Sequence, residues 1–380
     1  MQMHRRTFLS LLGTAAVASL SSRAIDRATA EAQAAAWPGY GQAVVIDSNG
    51  DPSLYGSEDF APLSAAVLDD VRASGLTAVS LTVSGVGSYA RNYDETIRNI
   101  AYWNAQIAAH PDVFLQVFHA ADIVEAKRSG RLGLIYDFQD ATPLSEDLDR
   151  GDAFRNLGVR IFQLTYNRRN LVGDGCLESG NAGLSEFGRK LVARLNERRA
   201  LVDVSHAGER TTLEAIDAST VPIAISHTGC AALAPYPRNK TDNELRKLAV
   251  KGGYVGIYLM PFLRSQGQPM ADDLIRHLEH AIDVCGEDHV GVGTDGTISP
   301  VAVTPEFKKK FADEIIERRK LGISAPGEDP NVYTFIPDLN RVDRFARIAE
   351  LLTGRKHSDA RIEKILGGNF ARLVHNVWEH

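Results

Sequence analysis

Residues 200–206, Ala-Leu-Val-Asp-Val-Ser-His, and residues 221–227, Val-Pro-Ile-Ala-Ile-Ser-His, decide the fold. Each is a nearly continuous apolar run, the pattern of a parallel strand covered on both faces. Each also ends in the same Ser-His pair. Working outward, seven more runs of this kind stand at Ala43–Ile46, Ala78–Val83, Val113–Phe118, Leu132–Phe138, Ile161–Thr165, Tyr254–Tyr258 and Val290–Thr294. Amphipathic stretches lie between them, among them Ser64–Ser74, Glu95–Ala109, Glu186–Arg199, Asp272–Cys285 and Thr304–Leu321. Gly75, Gly158 and Gly253 fall where helix ends precede the next strand. Nine strand runs alternating with helices predict an α/β protein, a (β/α)8 TIM barrel with one strand to spare. Two closing helices, Leu339–Thr353 and Ser358–Trp378, are expected to pack outside it.

The 380 residues are 44% hydrophobic and 24% charged, with 32 Gly and 15 Pro, which excludes collagen-like, low-complexity and disordered classes. The formal charge is −6 and no basic stripe occurs, so nucleic acid is excluded as a partner. Cys176, Cys230 and Cys285 are too few for a disulfide framework and form no C-x-x-C. Any metal is therefore expected on His, Asp and Glu types. At the start, Arg5-Arg6-Thr7-Phe8-Leu9 leads into the apolar run Leu11–Leu20 and the small residues Ala28-Thr29-Ala30. This is the pattern of a twin-arginine signal peptide, residues 1–30, with an apolar core too short to span a bilayer. Its removal takes four arginines and one aspartate, leaving a chain of −9. Residues 31–380 are expected to form a single barrel domain with no membrane span. The expected location is the periplasm or the medium, reached through the twin-arginine export machinery.

In a barrel, reactive side chains come from the C-terminal ends of several strands. Those ends read Asp47 and Asp51, Gln139 and Asp140, Thr165-Tyr166-Asn167, Ser205-His206, Ser226-His227 and Thr294-Asp295. His206 and His227, 21 residues apart in equivalent positions, place two imidazoles on neighbouring strands. Neutral imidazole nitrogens so placed suit a divalent metal such as zinc. Asp51 and Asp295 add oxygen ligands or a general base.

Several ordered stretches resemble the membrane (renal-type) dipeptidase family of metallopeptidases. They are Val-Ile-Asp-Ser-Asn-Gly-Asp (45–51), Leu-Gly-Val-Arg (157–160) with Leu-Thr-Tyr-Asn (164–167), and Gly-Leu-Ser-Glu-Phe-Gly-Arg (183–189). Val-Asp-Val-Ser-His (202–206), Ile-Ser-His (225–227), Pro-Arg-Asn (237–239) with Thr-Asp (241–242), and Gly-Val-Gly-Thr-Asp (291–295) complete the set. The resemblance implies a barrel of the metal-dependent hydrolase type, assembled as a homodimer. It also implies a mouth where two zinc ions activate a water that hydrolyses the amide of a dipeptide. By the same resemblance His206, His227, Asp51 and Gln139 stand at metal positions and Arg238 binds the substrate. Asp295 stands at a proton-shuttle position, and Tyr166 at the position that binds the substrate and polarises its carbonyl.

Three positions depart from the family pattern. Asn49 stands where a ligand His is expected, Gln139 (19 residues before Gly158) where a bridging Glu is expected, and Tyr166 where a substrate-binding His is expected. A neutral amide is a weak ligand and cannot balance the charge of two dications about 3.5–4 Å apart. One strong zinc site is thus expected on His206 and His227, with the second doubtful. Tyr166 can donate its phenol to an oxyanion, or simply fill the space of the missing His. Arg238 can clamp a terminal carboxylate, or pair with Asp242. Two functions follow: an exported dipeptidase-like hydrolase of a small peptide-like substrate, or a silent or repurposed relative that binds such a ligand or helps mature a secreted product. A different single-metal reaction at the same mouth, such as lactone or imine hydrolysis, is a third.

Overall fold

The run Leu132–Phe138 (β5) is buried at all seven residues, as its nearly continuous apolar pattern predicts. In the computed structural model, which describes residues 37–53, 60–320 and 324–379, β5 lies in a parallel sheet. The other strands of that sheet are β1 (Ile46–Asp47), β3 (Ala78–Thr82), β4 (Phe114–Gln116), β6 (Val159–Gln163), β7 (Leu201–Asp203), β8 (Ala224–Thr228), β9 (Tyr254–Ile257) and β10 (Val290–Val292). Their order is β1-β3-β5-β6-β7-β8-β9-β10. The Ser48 N–H donates to the Val292 carbonyl at 3.1 Å, bringing the last strand back to the first. Beyond that bond, β2 (Gly50–Asp51) pairs with β11 (Gly296–Thr297). The nearly closed eight-stranded barrel is thus the one expected.

The spare strand is β4. It pairs with Leu132–Leu134 at the start of β5, whereas β6 pairs with Tyr136–Phe138 across a register shift. Helix ends follow their local chemistry. Ser64 and Ser185 accept the Val67 and Gly188 N–H groups at the heads of Ala65–Ala73 and Glu186–Glu197. Gly75 and Gly158 take φ of +70° and +110° past helix ends, as expected. At the third position Gly252, not Gly253, takes the left-handed turn, with φ +77°. The helix expected from Glu95 starts earlier, at Tyr89.

The closing segment corrects the sequence expectation. Arg344–Gly354 packs beside the helix Ala271–Cys285, outside the barrel. The second helix is broken at Lys364–Gly368, and its last part, Asn369–Trp378, lies across the N-terminal end of the barrel. There Phe370, Leu373, Val374, Val377 and Trp378 cluster with the inward strand residues Ile46, Ala78, Ile135, Ile161, Leu201, Ala224 and Tyr254. Burying side chains of this size is worth about 1.5–3 kcal/mol each. Only glycine fits at the break, since a Cβ on Gly367 would stand 2.4 Å from the Val44 carbonyl.

Two residues further along the strands, the inward positions turn polar: Ser48, Ser80, Asp137, Gln163, Asp203 and Ser226, all buried. The barrel is therefore apolar at its N-terminal end and hydrogen-bonded toward its mouth. That layer is the floor on which the strand-end residues stand.

Among the described residues no helix is long and apolar enough to cross a membrane. The predicted signal, residues 1–30, lies outside the described residues.

Candidate active site

β7 and β8 share a single register pair, Asp203 with Ala224. Beyond it the chains run on to Ser205-His206 and Ser226-His227, and the imidazoles meet. Their Nε2 atoms are 2.9 Å apart, with ring centroids 5.0 Å apart at 63°. Both rings are buried. His206 Nδ1 lies 2.6 Å from Asn167 Oδ1, and His227 Nδ1 lies 2.8 Å from Ser226 Oγ. Asn167 Oδ1 also accepts the Cys176 thiol at 3.6 Å, a thiol that burial keeps protonated. Ser226 Oγ donates to Asp203 Oδ2 at 2.5 Å. Each Nδ1 thus faces an acceptor and carries the proton, so each Nε2 presents a lone pair. Two lone pairs converging at this distance form a seat for a cation, and the pair fits a divalent metal. No third His, Cys, Asp or Glu completes a metal-holding group with them among the described residues.

Tyr166 lies flat on His206, ring centroids 4.3 Å apart and 25° between planes, half-buried at the mouth. Arg238 is buried, and its guanidinium donates to the carbonyls of Ser205 and His227 while lying over the Tyr258 ring at 5.4 Å. The pairing with Asp242 does not occur. Asp242 instead holds His280 at 2.8 Å and Arg246 at 3.7 Å.

On the other side of the mouth, Gln139 Nε2 donates to Asn49 Oδ1 at 2.9 Å and reaches Asp295 Oδ1 at 3.5 Å. Gln139 is itself fixed, its N–H on Ser84 Oγ at 3.0 Å and its carbonyl on the Gln163 amide. Asp295 adopts φ +54°, and its N–H donates to the Asn49 carbonyl at 2.7 Å. The carboxylate of Asp51 turns back onto the Ser53 N–H at 2.7 Å, in its own loop. The structure therefore brings together His206, His227 and Tyr166 as one group, and Asn49, Gln139 and Asp295 as another.

Several charged residues act as supports. Asp47, one of the strand-end acids, holds backbone rather than joining either group. It accepts the Thr294 N–H and hydroxyl at 2.8 and 2.6 Å, holding the turn that carries Asp295. Burial pushes its pKa up to about 7 against those bonds and the nearby Arg344 guanidinium. Asp203 collects Ser205 and Ser226, and burial raises its pKa against those four hydrogen bonds. Lys240, buried beside Glu244 at 3.3 Å, donates to the carbonyl of Ala207 next to His206. The only sequence signal for these residues is a charged side chain inside or beside an apolar strand run.

The sequence model of the membrane dipeptidase family (peptidase family M19) matches residues 55–317. The chain belongs to this family. An amidohydrolase of known structure from Pseudomonas aeruginosa is 31% identical, with TM-score 0.76, over 93% of this chain and 99% of that one. A metallopeptidase from Rhodobacter sphaeroides, solved with a phosphinate mimic of the dipeptide L-Ala-D-Ala, shares the fold with TM-score 0.69. It is 20% identical, over 88% of this chain and 99% of that one. Dipeptidase tcpJ of Claviceps purpurea is 24% identical over 287 residues, 74% of this chain and 60% of the relative's length. Membership of the membrane dipeptidase family makes this chain a metallohydrolase-type barrel. The Gln139–Asn49 bond is where its own residues depart from the expected pattern.

Proposed function

We propose that this protein hydrolyses the amide of a dipeptide or dipeptide-like substrate with one divalent metal, zinc, held by His206 and His227. The observation that carries the reading is the convergence of their Nε2 lone pairs at 2.9 Å, with both Nδ1 atoms committed to acceptors. A cation there supplies a Lewis acid and a water of lowered pKa. Asp51 and Gln139 are the remaining oxygen donors assigned to the metal region. The residues on that side argue against a second strong site, because a neutral amide stands where a bridging carboxylate is expected and the Asn49 oxygen already accepts the Gln139 NH2.

The rest of the chemistry falls to this chain's own groups. Asp295 takes a proton from the attacking water and returns it to the leaving nitrogen, closing the proton balance. Tyr166, stacked on His206, donates its phenol to the oxygen that gains charge as the carbonyl is attacked. Arg238 uses its remaining N–H groups on the substrate's terminal carboxylate, while the two bonds to Ser205 and His227 hold the fork in place. Export by the twin-arginine route and assembly as a homodimer belong to the same reading. They are checked by fractionating cells carrying the Arg5→Lys/Arg6→Lys chain and by sedimentation of the purified protein.

The test is metal content per chain of natively purified protein, measured beside hydrolysis of a dipeptide panel. About one equivalent, with hydrolysis lost in His206→Ala, supports the reading. No metal even after zinc is added back overturns it. The Gln139–Asn49 bond favours a second reading, a repurposed barrel that binds a peptide-like ligand or serves maturation of a secreted product. Metal binding without turnover of any dipeptide would select it.

A further inference from the structure

We propose that Asp203 is a positioning residue: through the Ser226 hydroxyl it fixes the tautomer of His227 and so turns the His227 Nε2 lone pair toward His206. The inference rests on the reading of His227 as a metal ligand.

Asp203 is buried at the end of β7, where the ladder to β8 stops after one register pair. Past that point its carboxylate ties the two strand ends together. Oδ1 accepts the Ser205 N–H at 3.1 Å, the Ser205 hydroxyl at 2.7 Å and the Ser226 N–H at 2.9 Å. Oδ2 accepts the Ser226 hydroxyl at 2.5 Å. These two serines are the residues immediately before His206 and His227. One carboxylate therefore sets the backbone from which both imidazoles project.

The directions of the bonds carry the argument. A carboxylate only accepts, so the single proton of each serine hydroxyl is drawn to it. Ser205 Oγ then has lone pairs left for the His227 N–H at 3.1 Å. Ser226 Oγ likewise has lone pairs left for the His227 ring, 2.8 Å away. Nδ1 must bring the proton to that contact, which leaves Nε2 bare. The order is Asp203 charge, Ser226 hydroxyl direction, His227 tautomer, Nε2 lone pair. Supports of this kind raise metal affinity by holding both the tautomer and the ring of a ligand histidine.

Asp203→Asn reverses the order without changing shape. Oδ1 receives two backbone N–H groups that cannot turn, so the amide must place its NH2 at the Oδ2 position, facing Ser226. Ser205 Oγ, 2.9 Å from Ser226 Oγ, already receives the His227 N–H, so Ser226 then donates to His227 Nδ1 and the ring proton moves to Nε2. Ser226→Ala cuts the relay while leaving Asp203 and its other bonds in place.

The test reads the tautomer in metal-free protein labelled with 15N-histidine, by long-range 15N–1H correlation, and zinc affinity by competition with a chromophoric chelator. Expected are an Nδ1–H signature for His227 in the native chain and Nε2–H in Asp203→Asn. Zinc affinity should fall about 10–100-fold in Asp203→Asn. In the Ser226→Ala background, Asp203→Asn should add no further loss. An Nε2–H signature in the native chain overturns the proposal, as does an unchanged tautomer in Asp203→Asn. So does an equal loss of zinc affinity in both backgrounds, since a purely structural role is blind to Ser226. Where Asp203→Asn fails to fold, Ser226→Ala decides alone: unchanged zinc affinity overturns the proposal. An Nδ1–H signature in a native chain that binds no zinc removes the metal reading and leaves the Asp203 relay standing.

Discussion

His206 and His227 reach toward each other from neighbouring strands until their Nε2 atoms are 2.9 Å apart. The two Nε2 atoms face each other, while the Nδ1 atoms face Asn167 Oδ1 and Ser226 Oγ. In the proposed function this pair is what holds the metal. The second group at the mouth, Gln139 with Asn49 and Asp295, is satisfied from within by its own amide N–H. The two halves of the mouth therefore differ in what they ask for.

That difference predicts the outcome of restoring the family's ligand types. Asn49→His with Gln139→Glu exchanges an amide–amide bond for an imidazole and a bridging carboxylate. Bound metal should rise from about one to about two equivalents per chain by elemental analysis. A double variant that binds no more metal than its parent shows that these residues do not stand at a metal position.

Tyr166 packs on His206 through its ring and acts through its hydroxyl. Tyr166→Phe keeps the stack and removes the donor. Steady-state kinetics on a cleaved dipeptide should show kcat down by about 10²–10³ with KM nearly held, the loss of one oxyanion donor. Equal kcat in the two proteins would reduce Tyr166 to packing.

Lys240 and Glu244 form a buried pair at 3.3 Å, and Lys240 also donates to Thr212 Oγ1 at 2.7 Å. Removing one member strands the other's charge away from water. Lys240→Met should cost about 3–5 kcal/mol in urea unfolding. A loss near zero would mean water reaches Glu244.

His277 is buried on the helix Ala271–Cys285, accepting the Cys230 N–H at Nδ1 (2.9 Å) and donating from Nε2 to the Leu263 carbonyl (2.9 Å). Burial lowers its pKa to about 4, against 6.5 unfolded. The unfolded chain thus binds the proton first. This group's share of stability is fully present above pH 6.5, falls as pH drops and is gone near pH 4. The swing is about 3 kcal/mol. His277→Gln should remove it from the difference between unfolding curves across that window, and parallel curves would refute the assignment.

Much of the fold was legible because strand burial leaves a linear trace. Leu132–Phe138 is apolar but for Asp137 and is a strand over the same residues. The helices at Glu186 and Ser64 begin where their capping serines stand. The closing helices were less legible. Ser358–Trp378 is helical by pattern, but that only glycine fits at its break, Gly367, depends on how near the Val44 carbonyl comes, a contact made across the whole chain. Gly253 is glycine for a contact of the same kind, since a Cβ there would stand 2.6 Å from the Ile223 carbonyl, while Gly252 makes the left-handed turn.

The site divides along the same line. Two Ser-His pairs after apolar runs told which strand ends carry imidazoles, because a strand's length and direction fix where its last residue emerges. What the rings do there was decided by the tertiary structure. Asp203 reads in the sequence as one acid inside an apolar strand, yet it receives four donors from two strand ends. Asp51 reads as a ligand beside Asn49, and the fold sets one of its oxygens on the Ser53 N–H. Sequence alone set the barrel, the family and the residues at the mouth, since these follow from periodicity and local motif. Tertiary structure set which groups meet across the mouth, because a hydrogen bond depends on tenths of an ångström between residues far apart in the chain.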